Sequence, residues 1–326
     1  MSNKIKIGIC GYGNLGRGVE AGIAHCPDME LVAVFTRRTS AFQTKSKVPV
    51  VHIDNANEWK SKVDVMVLCG GSANDLPVQG PALAKIFNTV DSFDTHAKIP
   101  EYFNAMDASA KSSGNISVIS IGWDPGLFSL MRLYMGAVIP SGKTFTFWGK
   151  GVSQGHSDAI RGIDGVVNAI QYTIPSDSAM SRIRSGENPE LTTREKHTRE
   201  CFVVADNEAD KGRIEKEIKE MPHYFDEYDT TVHFISEAEL KANHGNLPHG
   251  GNVIHIGKTG DDNNQAIEFS LKLDSNPEFT SSVLLSYARA AYRLAEKGEQ
   301  GARTIFEIAP ILLSASSASK LTKDLL

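Results

Sequence analysis

The hexapeptide Gly11-Tyr12-Gly13-Asn14-Leu15-Gly16 follows directly on the apolar run Ile5–Cys10 (IKIGIC), and Leu15, Val19 and Ile23 then recur at helical spacing. A strand, a G-x-G-x-x-G turn and a helix in that order leave few folds open. Gly11 permits the tight turn, Gly13 lets a pyrophosphate approach the backbone, and Gly16 lets the helix pack closely on the strand. The helix N-terminus attracts the phosphate charge. A glycine triplet alone recurs by chance, so its flanks give it meaning.

Residues 1–125 repeat this grammar. Ile5–Cys10, Leu31–Phe35, Val48–Ile53, Val63–Cys69, Thr89–Phe93 and Ile116–Gly122 are rich in Val and Ile with little polar alternation. Parallel strands buried on both faces have this composition. Helical patterns lie between them, as at Leu83 and Phe87 after Pro81. The alternation predicts an α/β dinucleotide-binding domain, a Rossmann-type doubly wound parallel sheet.

After about Gly126 the pattern changes. A helical segment, Gly126–Val138, precedes longer strand candidates at Lys143–Gly149, Glu200–Asp206, Thr230–Ser236, Asn252–Gly257 and Gln265–Asp274, interrupted by one charged helix, Ala209–Met221. Strands in sequence with few helices predict a separate α+β domain with a mixed or antiparallel sheet over residues 126–275. Residues 276–326 read as a C-terminal helical segment. Val283, Leu284, Tyr287, Ala291 and Leu294 share one face of its helix, Phe279–Lys297, and periodicity does not say which domain that face covers.

Charge and composition exclude several classes. The chain of 326 residues has 34 basic and 39 acidic side chains, a net charge of −5, and no basic block, so no nucleic-acid footprint is expected. No apolar run approaches the roughly 18 residues of a membrane span, and Met1–Lys6 leads straight into a strand. A cytoplasmic protein with no membrane partner is expected. Cys10, Cys26, Cys69 and Cys201 lie far apart and form no C-x-x-C, which suits free thiols in a reducing compartment. The ten histidines are dispersed, and His244 with His249 lacks further ligands at metal-site spacing, so no metal is expected.

An NAD-binding fold ends its second strand with an acid about 20 residues past the glycines, where it hydrogen-bonds the ribose 2′-OH. Thr36, Arg37 and Arg38 stand there instead, with Thr36 20 residues after Gly16. A guanidinium grips a 2′-phosphate that an acid would repel, so the expected cofactor is NADP. A solvated strand end is the plainer account of the same arginines. Cys69-Gly70-Gly71-Ser72 also ends a parallel strand, and its small residues let a dinucleotide come close.

Two carboxylates occupy equivalent places, Asp94 after the strand TVDSF and Asp124 after ISVISIG. Paired acids beside a hydride acceptor suit an ammonium group, although Asp124 before Pro125 also suits a turn aspartate. Farther on, Trp148, the loop Gly151–Asp158, Thr173, Arg199 and Pro248-His249-Gly250-Gly251 supply an aromatic wall, hydrogen-bond donors and a fixed cation. That set suits a small carboxylate-bearing substrate. A lone histidine such as His249 or His156 fits a structural role more readily than a catalytic one.

GYGNLG, FTRR, CGGSANDLP, VDSFDTH, GWDPGLFS, TFWGKGVSQGHSDAIR, QYTIPS, RECFVVAD, LPHGG and KLDSNPEFT together resemble the meso-diaminopimelate dehydrogenases, from near the N-terminus to about Ser282. The resemblance implies a cytoplasmic homodimer with a Rossmann domain, a substrate and dimerisation domain, and a C-terminal segment packed back on the first. It implies reversible NADP-dependent oxidative deamination at the D-centre of meso-2,6-diaminopimelate, giving L-2-amino-6-oxopimelate and ammonia. The reverse reaction supplies a precursor of lysine and of the peptidoglycan cross-link. By the same resemblance Asp94, Asp124, Trp148, Gln154 and Gly155 hold the reacting D-centre, while Thr173, Arg199, His249 and Asn276 hold the distal L-centre. Trp123 lines the pocket beside Asp124, and Asp158 sits near the substrate path. Asp94 and Asp124 are the catalytic candidates, either of which could activate water. The resemblance adds His96, Pro125, Gly126, Leu127 and Phe128 to the cofactor contacts named above, which include Tyr12, Asn14 and Leu15. A dihydrodipicolinate reductase would call for a His-His-x-x-Lys pattern and a sugar dehydrogenase for Glu-Lys-Pro after a strand; neither is present.

Overall fold

The computed structural model describes residues 4–40 and 43–326; the first three residues of the N-terminal stretch lie outside them. In chain order come β1 (Ile5–Cys10), α1 (Asn14–Ile23), β2 (Met29–Thr36), β3 (Val50–His52), β4 (Val65–Leu68), α2 (Leu76–Ala84), β5 (Asn88–Asp91), α3 (Ile99–Lys111), β6 (Ile116–Val118) and α4 (Leu127–Val138). Then follow β7 (Lys143–Trp148), β8 (Gly151–Val152), α5 (Gln154–Arg161), β9 (Val166–Pro175), α6 (Asp177–Arg184), α7 (Thr193–Lys196), β10 (His197–Ala205), α8 (Lys211–Lys219), β11 (Asp229–Phe234) and α9 (Glu237–Asn243). The last elements are β12 (His249–Thr259), β13 (Asn263–Leu273), α10 (Asn276–Ala295), β14 (Gly301–Arg303) and α11 (Ala318–Leu325). They form two compact units, Met1–Leu130 with Pro277–Leu326, and Met131–Asn276.

In the first unit a seven-stranded sheet runs β14-β6-β5-β4-β1-β2-β3, and every neighbouring pair is parallel. Alternate residues supply its two faces. Val65 and Val67 of β4 join Ile7, Ile9, Val19 and Leu284 in one core, while Met66 and Leu68 join Phe35, Leu83, Phe87 and Met106 in the other. Both cores are apolar, which is why these strands lack polar alternation. The strand order reverses beside β1, so the glycine turn opens at the switch point where such sheets bind ligands. Helix α10 lies on α1, where Ser281 donates to the Leu15 carbonyl at 2.9 Å, and Arg289 grips Asp28 with two hydrogen bonds of 2.5 and 2.8 Å. Strand β14 then pairs with β6.

The second unit departs from the expected single sheet. It holds a three-stranded antiparallel sheet, β13-β12-β7, and a four-stranded mixed sheet, β11-β10-β9-β8, in which only β10 and β11 are parallel. Five helices, α5 to α9, interrupt the strands where one charged helix and one entered from the Gly151–Asp158 loop were expected. Most are too short to show an apolar stripe, yet their caps are written in the chain. Ser176, Asp210 and Ser236 each accept a backbone N–H at a helix start, and Thr192 with Glu195 forms a capping box. Ile160, Ile214, Ile218 and Phe225 pack on Cys201 and Val203 of the four-stranded sheet, and Met180 and Ile183 of α6 pack with Phe145, Phe147 and Ile254 of the other.

Candidate active site

The residues predicted to hold a cofactor lie at the glycine turn and strand ends of the first unit. Gly11 adopts φ +93°, a left-handed value that favours glycine, and turns the chain from β1 into α1. A Cβ on Gly16 would fall 2.2 Å from the Gly11 carbonyl oxygen, whereas one on Gly13 would meet nothing within 4 Å. Gly13 also starts α1 without a side-chain cap, which leaves the first helical N–H groups directed outward. Tyr12 extends from the turn to bond Glu20 through its hydroxyl, and Glu20 accepts the Ser46 N–H at 2.6 Å. Asn14 is exposed, and Leu15 packs on the core.

A cavity of about 200 Å³ opens beside this turn, lined by residues that include Gly11, Tyr12, Gly13, Thr36, Arg37, Arg38, Cys69, Gly70 and Gly71. These nine of the sequence-predicted cofactor residues line one cleft, whose open glycine face and two guanidinium groups fit a dinucleotide with a 2′-phosphate, while Asn14, Leu15, Gly16, Ser72, His96 and Pro125 to Phe128 are not among its lining. Asp75, which sequence reading missed, lines it too, and Arg37 donates to Asp75 at 2.8 Å. Arg38 donates its backbone N–H to the Thr36 hydroxyl at 3.2 Å. Burial pushes the Cys10 thiol up to about 12, and all four cysteines are free.

Asp94 and Asp124 leave the sheet from neighbouring strands. The buried Asp91 carboxylate accepts the Phe93 N–H at 3.0 Å, the Ser120 N–H at 3.1 Å and the Tyr102 hydroxyl at 2.8 Å. One side chain therefore fastens both loops that carry the catalytic candidates. Burial pushes Asp91 up to about 6 despite these three donors. Asp94 is exposed, and its N–H donates to Ser72 at 3.2 Å, which joins the Cys69–Ser72 turn to the acid. The Asp124-Pro125 bond is cis, and Gly126 follows at φ +134°. Trp123 is buried edge-on against Phe128, so its ring belongs to the core. Phe128 is wholly buried, while Pro125 and Leu127 are half-buried and His96 is exposed.

The residues predicted to hold the distal centre collect on the second unit's sheets. Gly151, Thr173 and Arg199 stand opposite one another on β8, β9 and β10, and the His249 ring lies so close over Gly151 that a Cβ there would be 2.5 Å from its Cγ. Arg199 donates to the Thr173 hydroxyl and lies 3.9 Å from the centre of the Tyr228 ring. It is 7% exposed, has no carboxylate within ion-pair distance among the described residues, and its Nε–H has no partner. A buried guanidinium with a donor to spare can take a carboxylate through charge-assisted hydrogen bonds. Burial lowers the His249 pKa, as does Arg199 nearby, and its Nδ1 accepts the Gly250 N–H at 2.8 Å. The Asn276 N–H donates to the Leu247 carbonyl at 2.9 Å, which places it by the PHGG turn.

Trp148 ends β7 opposite Gly251, half-exposed, and donates its N–H to His197 Nε2 at 2.8 Å while its ring stacks on that imidazole. Burial, then Arg199 and Lys196, push His197 down to about 3, so it is a neutral acceptor. Gln154 and Gly155 are exposed in the first turn of α5. Asp158, expected near the substrate path, forms an ion pair with Arg161 on its own helix. His197 and Tyr228 were not readable as site residues, because each acts from a neighbouring strand or turn. Among the described residues no helix is long and apolar enough to cross a membrane, and no group of three or more His, Cys, Asp or Glu could hold a metal.

Comparison with known proteins places the chain in a family. Residues 122–275 match the family model described as "Diaminopimelic acid dehydrogenase C-terminal domain". The chain is 64% identical over 325 residues to a meso-diaminopimelate D-dehydrogenase of Ureibacillus thermosphaericus, covering 99% of this chain and 100% of that one. Its fold superposes with TM-score 0.94 on the meso-dapdh Q154L/T173I/R199M/P248S/H249N/N276S mutant of Clostridium tetani with DAP, at 54% identity over 99% of this chain and 100% of the other. It superposes with TM-score 0.88 on an engineered D-amino acid dehydrogenase bound to NADP+, at 44% identity over 99% and 100%. Gln154, Thr173, Arg199, Pro248, His249 and Asn276 stand in this chain at the six numbers altered in the Clostridium tetani protein.

Proposed function

The chain belongs to the meso-diaminopimelate D-dehydrogenase family, and from that premise we propose how its residues share the reaction. It is an oxidoreductase acting on the CH–NH2 group at the D-centre of meso-diaminopimelate, with NADP as cofactor. The products are L-2-amino-6-oxopimelate and ammonia, and the enzyme works in the cytoplasm as a homodimer. Leu133, Tyr134 and Val138, each about half-exposed on α4, support an association face.

When bound, NADP accepts the hydride at the nicotinamide C4; the protein binds, orients and moves protons. Gly11 to Gly16, Thr36, Arg37, Arg38, Cys69 to Ser72, His96 and Pro125 to Phe128 hold it. Asp94 and Asp124 bind the D-centre ammonium, and one of them takes its proton, freeing the nitrogen lone pair as the Cα hydride departs. The same carboxylates remain beside the substrate imine, where one removes a proton from the attacking water. Trp148, Gln154 and Gly155 hold the reacting centre, with Trp123 and Asp158 nearby. Arg199 and Thr173 take the distal carboxylate, and His249 and Asn276 complete the contacts to that L-centre.

The observation that carries this division is the buried Arg199 with its unpartnered Nε–H, already clasped to Thr173. A site with a fixed cation far along the substrate reads length as well as stereochemistry. The test follows NADPH absorbance with meso-, LL- and DD-diaminopimelate, D-lysine and D-alanine, each with NADP and with NAD. Reduction of NADP by the meso isomer, with D-alanine a poor substrate, is the expected result. Equal turnover of D-alanine would remove the distal anchor from the proposal.

A further inference from the structure

Asp75 stands immediately before α2, where an aspartate ordinarily caps its own helix. Its carboxylate makes no such cap. Oδ2 accepts the Gly71 N–H at 3.1 Å, and Oδ1 meets the Arg37 guanidinium at 2.8 Å, so the acid is turned into the cofactor cavity. Gly70 makes room for it, since a Cβ there would fall 2.8 Å from the Asp75 Cβ. The pair adds little to folding, because the Arg37 side chain is 67% exposed and such pairs are screened by water. Its consequence is the charge of the cavity.

We propose that Asp75 is a second determinant of cofactor choice, an internal counterion of Arg37 that a ribose 2′-phosphate has to displace. Arg37, Arg38 and Asp75 together give the cavity a net charge of +1, and an asparagine at position 75 would make it +2. Asp75 opposes the phosphate as a like charge and occupies one of the guanidinium's donors. With Arg37 absent, it becomes a bare acid near the ribose, the feature that NAD-binding folds use to accept a 2′-OH. Arg37 therefore does two things: it attracts the phosphate, and it silences an acid that would otherwise favour NAD.

This rests on the reading of the cavity as the 2′-phosphate site, and the experiment separates the two. The wild type, Asp75→Asn, Arg37→Ala and the double variant are compared by kcat/KM for NADP and for NAD. Calorimetry with adenosine 2′,5′-bisphosphate and adenosine 5′-monophosphate measures binding without turnover. Asp75→Asn should raise the preference for the 2′-phosphorylated ligand roughly two- to fivefold, the range of an exposed ion pair, and the gain should shrink with salt. Arg37→Ala should cost that preference more with Asp75 present than with asparagine in its place. An Asp75→Asn preference within about 1.4-fold of wild type, or an equal Arg37→Ala cost in both backgrounds, overturns the role of Asp75. A wild type indifferent to the 2′-phosphate overturns the cavity reading itself.

Discussion

The proposed cofactor cleft and the proposed distal anchor place their cations in opposite settings. In the cleft, six consecutive residues shape the backbone, and Arg37 and Arg38 stand exposed at the end of β2. In the anchor, Gly151, Thr173, Arg199 and His249 come from four strands, and its one cation is buried against Tyr228. Water weakens the first kind of interaction and leaves the second nearly unscreened. The same loss of one arginine should thus be graded by where it sits.

The largest effect should come from neither anchor but from the acids between strand and substrate. Asp124→Asn should cut kcat by about 10²- to 10⁴-fold, the usual weight of a positioned acid or base, with NADP affinity nearly unchanged by fluorescence titration. Equal losses in both would return Asp124 to the turn aspartate that Pro125 also suggests. Next, Arg199→Met should lower kcat/KM for diaminopimelate by roughly 10- to 100-fold, about 1.5–3 kcal/mol for hydrogen bonds to a charged group, and leave D-alanine almost untouched. Parallel loss for both substrates would mean that Arg199 supports the sheet rather than reads the distal end.

Replacing Arg37 and Arg38 together by alanine should raise KM for NADP by about fivefold or somewhat more, as expected for exposed charges, while selectivity among diaminopimelate isomers stays intact. A loss as deep as that of Arg199 would break the contrast between exposed and buried cations. The last effect falls on stability rather than on turnover and is a pH dependence. His197 titrates near 3 when folded against about 6.5 when unfolded, so between those values only the unfolded chain gains the proton and stability falls as pH falls. The urea midpoint should therefore drop from pH 7 to pH 5, and His197→Gln, which keeps an acceptor for the Trp148 N–H, should flatten that drop.

Legibility differed between the two units for a physical reason. Strands β1, β2 and β4 are buried on both faces, so their composition announces them without reference to any neighbour. Strand β9 was not read, because Asn168, Gln171 and Thr173 interrupt its apolar run, although Gln171 is wholly buried. The helices α6 and α9 were passed over for their polarity, while their serine caps stood in plain view. Asp91 sat in a quoted strand, yet its bonds to Ser120 and Tyr102 depend on which elements lie beside β5.

By itself the sequence determined the cofactor fold, the place of the glycine turn and the replacement of the usual acid by arginines, since these follow from local backbone chemistry and a fixed spacing. The family's residue pattern pointed to the substrate groups. Tertiary structure alone decided that Arg37 already has a carboxylate partner, that Asp91 fastens the two loops that carry Asp94 and Asp124, and that His197 and Tyr228 support Trp148 and Arg199. Apart from the local Asp91–Phe93 bond, each of these is a meeting of groups distant in the chain, set by strand register, loop path and burial, and no local pattern encodes such a meeting.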